Sequence, residues 1–209
     1  MSVTAKDRET AERLTAFDQN YKAAGQVLVG MDEAGRGPLA GPVVAAAVVM
    51  PEMPIVYGVN DSKKLSEKKR EALYEEIMQT AISVGVGVVD EKMIDEINIL
   101  NAARMAFMKA FEQISVPSDR VLSDQISGLS IPGYISIVRG DAKSYTIAAA
   151  SIVAKVTRDR MMRDYAEQYP EYGFETHKGY GSAAHIMAIK TYGVCDIHRK
   201  TFLTRILTD

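Results

Sequence analysis

The longest apolar run of the chain lies between Pro42 and Pro51 and consists of Val, Ala and Met50. A membrane-crossing helix needs roughly 20 consecutive apolar residues, so this run is far too short for one. Its valines and its proline boundaries read instead as a strand over Val43–Met50. The chain must then bury its apolar surface in a core of its own. Its 209 residues suffice for one domain, or one domain with a small appendage. The 47% hydrophobic and 25% charged content excludes a disordered or low-complexity chain. With Lys+Arg 25 against Asp+Glu 27 the net charge is -2, so a nucleic-acid partner would have to be held by a local basic patch. Cys195 is the only cysteine, which excludes an intrachain disulfide and suits a reducing compartment. The stretch from Met1 to Gly25 is polar and lacks the apolar core of a secretory signal. The expectation is a soluble cytoplasmic protein.

Further elements follow from periodicity. Ala11, Leu14, Phe17 and Tyr21 form a helical stripe over residues 7–23, expected to pack on the main body as an N-terminal extension. Gln26–Met31 reads as a buried strand and Ala81–Val89 as another. A helix capped by Ser66 follows the Asn60-Asp61-Ser62 loop and turns Leu73 and Ile77 inward. Asp90 caps a short helix. A longer one over Asn98–Ile114 carries Leu100, Phe107, Phe111 and Ile114. Arg120–Asp124 and Tyr134–Val138 are two more strands. Helices are expected from Thr146 to about Tyr165 and over Ala183–Tyr192, with a last short segment from Thr201. Strands first, then helices alternating with strands, give an α/β layer with a mixed central sheet flanked by helices.

Sites in such sheets form at the carboxyl ends of strands. Asp32 and Glu33 end the first strand, Asp124 ends the Arg120 strand, and Asp141 follows the Tyr134 strand. Neighbouring residues of a strand point to opposite faces, so Asp32 and Glu33 can serve one site only if the strand breaks there. Gly35 and Gly37 supply such a break. Four carboxylates brought together repel one another and raise their own pKa values. Hard divalent cations relieve that repulsion, and an all-oxygen donor set favours Mg2+ or Mn2+ over zinc. His177, His185 and His198 lack close metal-binding spacing. Two such ions can activate a water and stabilise the leaving oxygen in phosphodiester hydrolysis. Taken singly, Asp124 or Asp141 reads equally as a helix cap or a solvated turn.

Other features point the same way, each with an ordinary alternative. The turn Gly35-Arg36-Gly37 exposes backbone groups and offers Arg36 to a phosphate, or it is a tight connection with a surface arginine. Ser151, Lys155 and Arg158 share one helix face, either tracking a phosphate backbone or facing solvent. Lys63 and Lys64, with Lys68-Lys69-Arg70, form a second basic cluster. Tyr180, between Gly179 and Gly181, is placed to stack on a sugar or base rather than to sit deep in a core.

Gly30-Met31-Asp32-Glu33-Ala34-Gly35-Arg36-Gly37-Pro38-Leu39, then Asn60-Asp61-Ser62-Lys63-Lys64-Leu65-Ser66, then Gly140-Asp141 and Ala149 to Asp159 follow in order, with His177-Lys178-Gly179-Tyr180-Gly181 after them. In these blocks the sequence resembles the ribonuclease HII family, the prokaryotic type 2 ribonucleases H, from about residue 26 to the end. The resemblance implies a ribonuclease H-like fold with a C-terminal helical part, as a catalytic domain over 25–209 behind a helical extension at 1–24. It implies hydrolysis of RNA paired with DNA, and cutting 5′ to single ribonucleotides in duplex DNA, leaving 3′-hydroxyl and 5′-phosphate ends. It places the family carboxylates on Asp32, Glu33, Asp124 and Asp141, holding Mg2+ or Mn2+, two ions in the substrate complex. On our reading of the mechanism, Asp32 would bridge the two ions, with Glu33 and Asp124 on one and Asp141 on the other or on its water.

The resemblance further implies that the backbone of Gly35, Arg36 and Gly37 contacts the 2′-hydroxyl and that Tyr180 stacks on the ribonucleotide sugar. Lys63, Lys64 and Lys143, with Ser151 and Lys155, complete the expected substrate contacts. The partners are RNA–DNA hybrid and ribonucleotide-containing DNA, no membrane is involved, and the protein is expected to be a monomer active in repair and primer removal. Two positions depart from the family pattern: Gln125 stands where a glycine is frequent, and Ala148 where a serine is common. Residues 1–24 are too short for the additional N-terminal domain of ribonuclease HIII. Two other classes fit the same residues: a different metal nuclease of this fold, and a nucleic-acid-binding protein without catalysis.

Overall fold

The computed structural model describes residues 3–208. Met1 and Ser2, part of the expected N-terminal extension, lie outside the described residues. Helix α1 (Ala5–Gln19) precedes strands β1 (Leu28–Ala34) and β2 (Val43–Val49). Helix α2 (Glu67–Thr80), strand β3 (Ser83–Val89) and helix α3 (Glu91–Phe111) follow, then β4 (Arg120–Asp124) and β5 (Tyr134–Ile137). The chain ends in α4 (Tyr145–Gln168), α5 (Phe174–His177), α6 (Ala183–Tyr192) and α7 (Thr204–Thr208). The strands form one mixed sheet in the order β3-β2-β1-β4-β5, antiparallel from β3 to β1 and parallel from β1 to β5.

The Val/Ala run fills β2, and every residue in it is buried. Val43, Ala45, Ala47 and Val49 pack with Ala106 and Phe107 of α3, whereas Ala46 and Val48 pack with Leu73 of α2 and Ala149 and Val153 of α4. A strand covered on both faces needs no polar alternation. The helices lie close to the sheet because glycines admit them. A Cβ on Gly30 would fall 2.1 Å from the Thr146 carbonyl carbon at the start of α4, and one on Gly87 would fall 2.0 Å from Ala106 O of α3. Helix α4 thus crosses β1 directly beside Asp32.

The caps act locally, as expected. Ser66 accepts from Lys69 N, Asp90 from Met93 N, and Ser144 from Ile147 N. The α3 segment is two helical pieces joined at Asn98, whose φ is +65° and whose side chain accepts from the amides of Leu100 and Asn101. Its inner face is built from Ala102, Ala103, Ala106, Phe107 and Ala110, whereas Leu100 is 39% exposed. The small residues win that face because α3 must approach Gly85 and Gly87 closely. Helix α1 begins and ends earlier than the residue 7–23 stripe. It is held by Asp18, which accepts from Thr146 N, and by Arg13, which donates to Ala142 O.

The first strand runs further than the expected Gln26–Met31. β1 does not break at its acidic pair but keeps register through Asp32↔Ala46, Glu33↔Ala45 and Ala34↔Val44. Leaving the ladder earlier would strand backbone groups of β2 without partners. The break comes at Gly35, whose φ of +98° only glycine adopts without strain.

The second half of α4 carries a separate cluster with Tyr172, Phe174, Ile189 and Leu203. It is strapped to the segment after β1. Leu39 N donates to Gly179 O, Gly41 N to Ile197 O, and Arg199 N to Leu39 O, each at 2.8 Å.

Candidate active site

Because β1, β4 and β5 are parallel, their carboxyl ends open on one edge of the sheet. Asp32 lies near the end of β1 and Asp124 closes β4. Asp141 sits in a single helical turn, Gly140–Ala142, just past β5. Asp124 fixes that turn, since its Oδ1 accepts from Gly140 N at 2.7 Å. The turn then runs into α4 through Ser144 N, which donates to Gly140 O at 2.8 Å. Just past β4, Gln125 donates its amide to Ile137 O, so a bond to the neighbouring strand is made beside Asp124 without a glycine. Ala148 is fully buried against α2 and β2.

The carboxylates feel one another. Burial pushes Asp32 well above the usual carboxylate range, and the charges of Glu33, Asp124 and Asp141 push the same way. Burial also raises Glu33, assisted by Asp124 and opposed by Arg36, whose Nη1 lies 3.2 Å from Glu33 Oε1. Asp124 is raised by burial and by Asp141. Lys63 answers part of this charge. Its Nζ lies 3.3 Å from Asp141 Oδ2, and although burial alone would lower the Lys63 pKa, the charges of Asp141 and Asp32 raise it.

A cleft of about 230 Å³ opens here, lined by Asp32, Glu33, the Gly35–Gly37 turn, Ser62, Lys63, Lys155 and Tyr180. Although alternation puts Asp32 on the face of Gly30 and Glu33 on that of Met31, both reach the cleft, because it opens beyond the sheet edge rather than on one face. A larger cavity of about 320 Å³ lies elsewhere, between α1 and the Met50–Ile55 segment. Its ionisable lining is Asp18, Lys22 and Glu52, with Tyr145, and it holds none of the strand-end carboxylates.

The donor set suits a hard divalent cation. It is all oxygen, mutually repulsive, and includes Glu33 Oε2, which is buried without a hydrogen-bond partner. The oxygens are not drawn into a closed cage: among the described residues, no group of three or more Asp, Glu, His or Cys side chains is placed to hold an ion.

The remaining expected contacts divide. Tyr180 is 45% exposed at the cleft rim. Lys155 lines the cleft and pairs with Asp159 at 2.6 Å. Lys64 pairs loosely with Asp61, and Lys143 is exposed; neither lines the cleft. Ser151 is buried away from the lining and donates to Ala148 O of its own helix. Arg158 neither tracks a phosphate nor faces solvent. It is fully buried, and its guanidinium donates to Pro42 O, Lys178 O and Ala40 O.

Sequence reasoning missed Arg199, also fully buried, which donates to Gly35 O, Arg36 O and Gly41 O. Nothing in its local pattern marks it. It also missed that the three histidines meet. The rings of His177 and His185 stack at 4.5 Å, and His185 Nε2 lies 3.0 Å from His198 Nε2. Their acceptor nitrogens are committed. His177 Nδ1 accepts from Gly179 N, and His198 Nδ1 accepts from Cys195 N. His198 therefore donates to His185, which in turn donates to Tyr180 O. Burial lowers the pKa of both, to about 4 for His185.

Comparison with known proteins supplies the context for this edge. The family model described as Ribonuclease HII matches residues 29–205. The Ribonuclease HII of Ruminiclostridium cellulolyticum is 49% identical over 200 residues, covering 95% of this chain and 78% of that protein. The crystal structure of ribonuclease H2 from Pyrococcus horikoshii superposes with a TM-score of 0.73 at 29% identity, covering 88% of this chain and all of the other. Bst-RNase HIII in complex with Mn2+ shares the fold, with a TM-score of 0.63 at 17% identity, covering 93% of this chain and 67% of the other.

Proposed function

The chain belongs to the ribonuclease HII family and is an endonuclease acting on RNA in RNA–DNA hybrids; from that premise we propose that Asp32, Glu33, Asp124 and Asp141 carry the hydrolysis with divalent cations. The observation behind this reading is that Asp32, Glu33 and Asp124, from β1 and β4, have raised proton affinity at one sheet edge beside the Gly35–Gly37 turn, and that the charge of Asp141 from the turn after β5 adds to the rise of Asp32 and Asp124.

Asp32, Glu33, Asp124 and Asp141 would hold Mg2+ or Mn2+, two ions with substrate bound. When bound, such ions make water a stronger nucleophile at neutral pH and stabilise the departing 3′ oxygen. The chain's own groups do the rest. Burial and the neighbouring carboxylates favour the protonated form of Asp32, and positive charge brought beside it would favour the ionised form. Lys63 neutralises Asp141 and, being 76% exposed, is free to turn its ammonium to an incoming phosphate. The backbone of Gly35, Arg36 and Gly37 meets the 2′-hydroxyl, the group that separates RNA from DNA. The exposed ring of Tyr180 covers the sugar. Among the other expected contacts, Lys155 lines the cleft and stays in the proposed substrate set. We assign the catalytic unit to residues 25–209, with the segment 1–24 as a helical cover, and cleavage to the 5′ side of a single ribonucleotide in duplex DNA, leaving 3′-hydroxyl and 5′-phosphate ends.

Cleavage-site mapping tests this. A DNA duplex with one ribonucleotide should be cut once, 5′ to that residue, only with Mg2+ or Mn2+ present. The matching all-DNA duplex should stay intact. Equal cutting of both duplexes would sink the ribose-reading role.

A further inference from the structure

We infer that Arg199 is a positioning residue for ribose discrimination: by holding the Gly35 and Arg36 carbonyls inward, it turns the amide N–H groups of Arg36 and Gly37 toward the cleft. The inference rests on the proposed role of this turn and adds the device that orients it.

The geometry is that of the peptide unit. Arg199 Nη2 donates to Gly35 O at 2.6 Å and Nη1 to Arg36 O at 3.1 Å. Both peptide bonds are trans, so the N–H of the next residue points opposite to each carbonyl. Arg199 is fully buried, so the opposite direction leads outward, where Arg36 and Gly37 line the cleft. Among the described residues, no group of the protein accepts from either amide. Two amide donors are left for an oxygen from outside.

The choice of residue supports the assignment. A buried guanidinium is costly unless its donors are satisfied, and an apolar side chain would fill the same space more cheaply. Arg199 has no carboxylate partner among the described residues, and its donors go to backbone carbonyls instead, including two to Gly41 O. A rigid fork can hold several carbonyls in fixed directions, which a lysine cannot do. Arg158 extends the same frame. It joins Ala40 O and Pro42 O, just past the turn, to Lys178 O in the Tyr180 loop, and its guanidinium lies 6.0 Å from the Tyr180 ring centre. A Cβ on Gly35 would fall 2.1 Å from Arg158 Nε, so the turn is seated directly on this pair. A deoxyribose would leave the two amides without an acceptor, which is how a site built around a hydroxyl rejects its absence.

The test compares Arg199→Lys and Arg199→Met in an Asp32→Asn background, chosen because loss of that carboxylate should suppress cutting during the binding measurement. Fluorescence anisotropy with Mg2+ gives Kd for a duplex with one ribonucleotide and for the same sequence in all-DNA form. The expected result is a fall of about tenfold or more in the ribonucleotide preference, with all-DNA affinity within about twofold of the parent. The lysine variant should keep the loss, because it keeps the charge but not the fork. An unchanged preference overturns the inference, as does equal weakening on both duplexes. Loss of cooperative unfolding in both variants overturns it too, since Arg199 would then hold the domain rather than the turn. If the Asp32→Asn parent itself shows no ribonucleotide preference, the proposed reading of the turn has failed, and this inference falls with it.

Discussion

Asp18 offers the most quantitative check on how α1 is attached beside the Gly140–Ala142 turn. Its carboxylate is buried, its Oδ2 accepts from Thr146 N at the start of α4, and its Oδ1 has no partner. Burial raises its pKa from 3.8 to about 6, against hydrogen bonds from Ser144 and Thr146 that lower it. A folded-state pKa above the unfolded one means that the native state binds the proton more tightly. The ionised side chain therefore costs nothing well below pH 4. The cost grows between about pH 4 and pH 6 and is constant above. With one pKa unit worth about 1.4 kcal/mol, the difference between pH 4 and pH 8 comes to about 2–3 kcal/mol. Asp18→Asn removes that pH-dependent part. The amide also brings a donor whose own burial has a cost, but that contribution does not change with pH and cancels in the comparison. Urea unfolding of both proteins at pH 4 and pH 8 measures it. The variant's stability relative to wild type should rise by about 2–3 kcal/mol from the lower to the higher pH. A relative stability that is the same at both pH values would refute the assignment of a buried, ionised Asp18 above pH 6.

Three further outcomes follow from the same structure. Asp32→Asn should lower hybrid cleavage by roughly a thousandfold or more. It should also raise the melting temperature without metal at pH 8, because it removes a buried, repelled carboxylate; an active variant would remove Asp32 from the mechanism. Tyr180→Ala should weaken cutting at a lone ribonucleotide while leaving the melting temperature within a few degrees, since the ring is 45% exposed; unchanged cutting would end its role in recognition. Gly87→Ala places a methyl 2.0 Å from Ala106 O and should destabilise by about 1–3 kcal/mol in a denaturant titration, through the forced retreat of α3; a neutral result would show that α3 can shift freely.

Much of the architecture was legible because its signals are short-range. Ser66 and Asp90 cap helices through bonds that span three residues, and β4 runs from Arg120 to Asp124 as its apolar pattern indicates. The candidate carboxylates were legible for a related reason. Once Asp124 and Asp141 follow parallel strands, topology alone delivers them to one edge. Legibility stopped where a residue's role depends on a distant partner. Arg158 reads as part of a polar helix face, but its helix packs against the Ala40–Pro42 segment and the Lys178 loop, which claim its donors.

The sequence by itself therefore marked the five strands and the longer helices, though not the short α5, as well as which acidic groups follow the strands and that Cys195 has no cysteine to pair with. Tertiary structure alone decided how far β1 runs, since that depends on β2 lying opposite Asp32 and Glu33. It alone joined Lys63 to Asp141 across 78 residues of chain, and seated Arg199 under the Gly35 turn 164 residues away. The physical reason is range. Periodicity and capping are settled within a turn or two of chain, whereas burial of a charge is settled by whatever the folded chain brings around it.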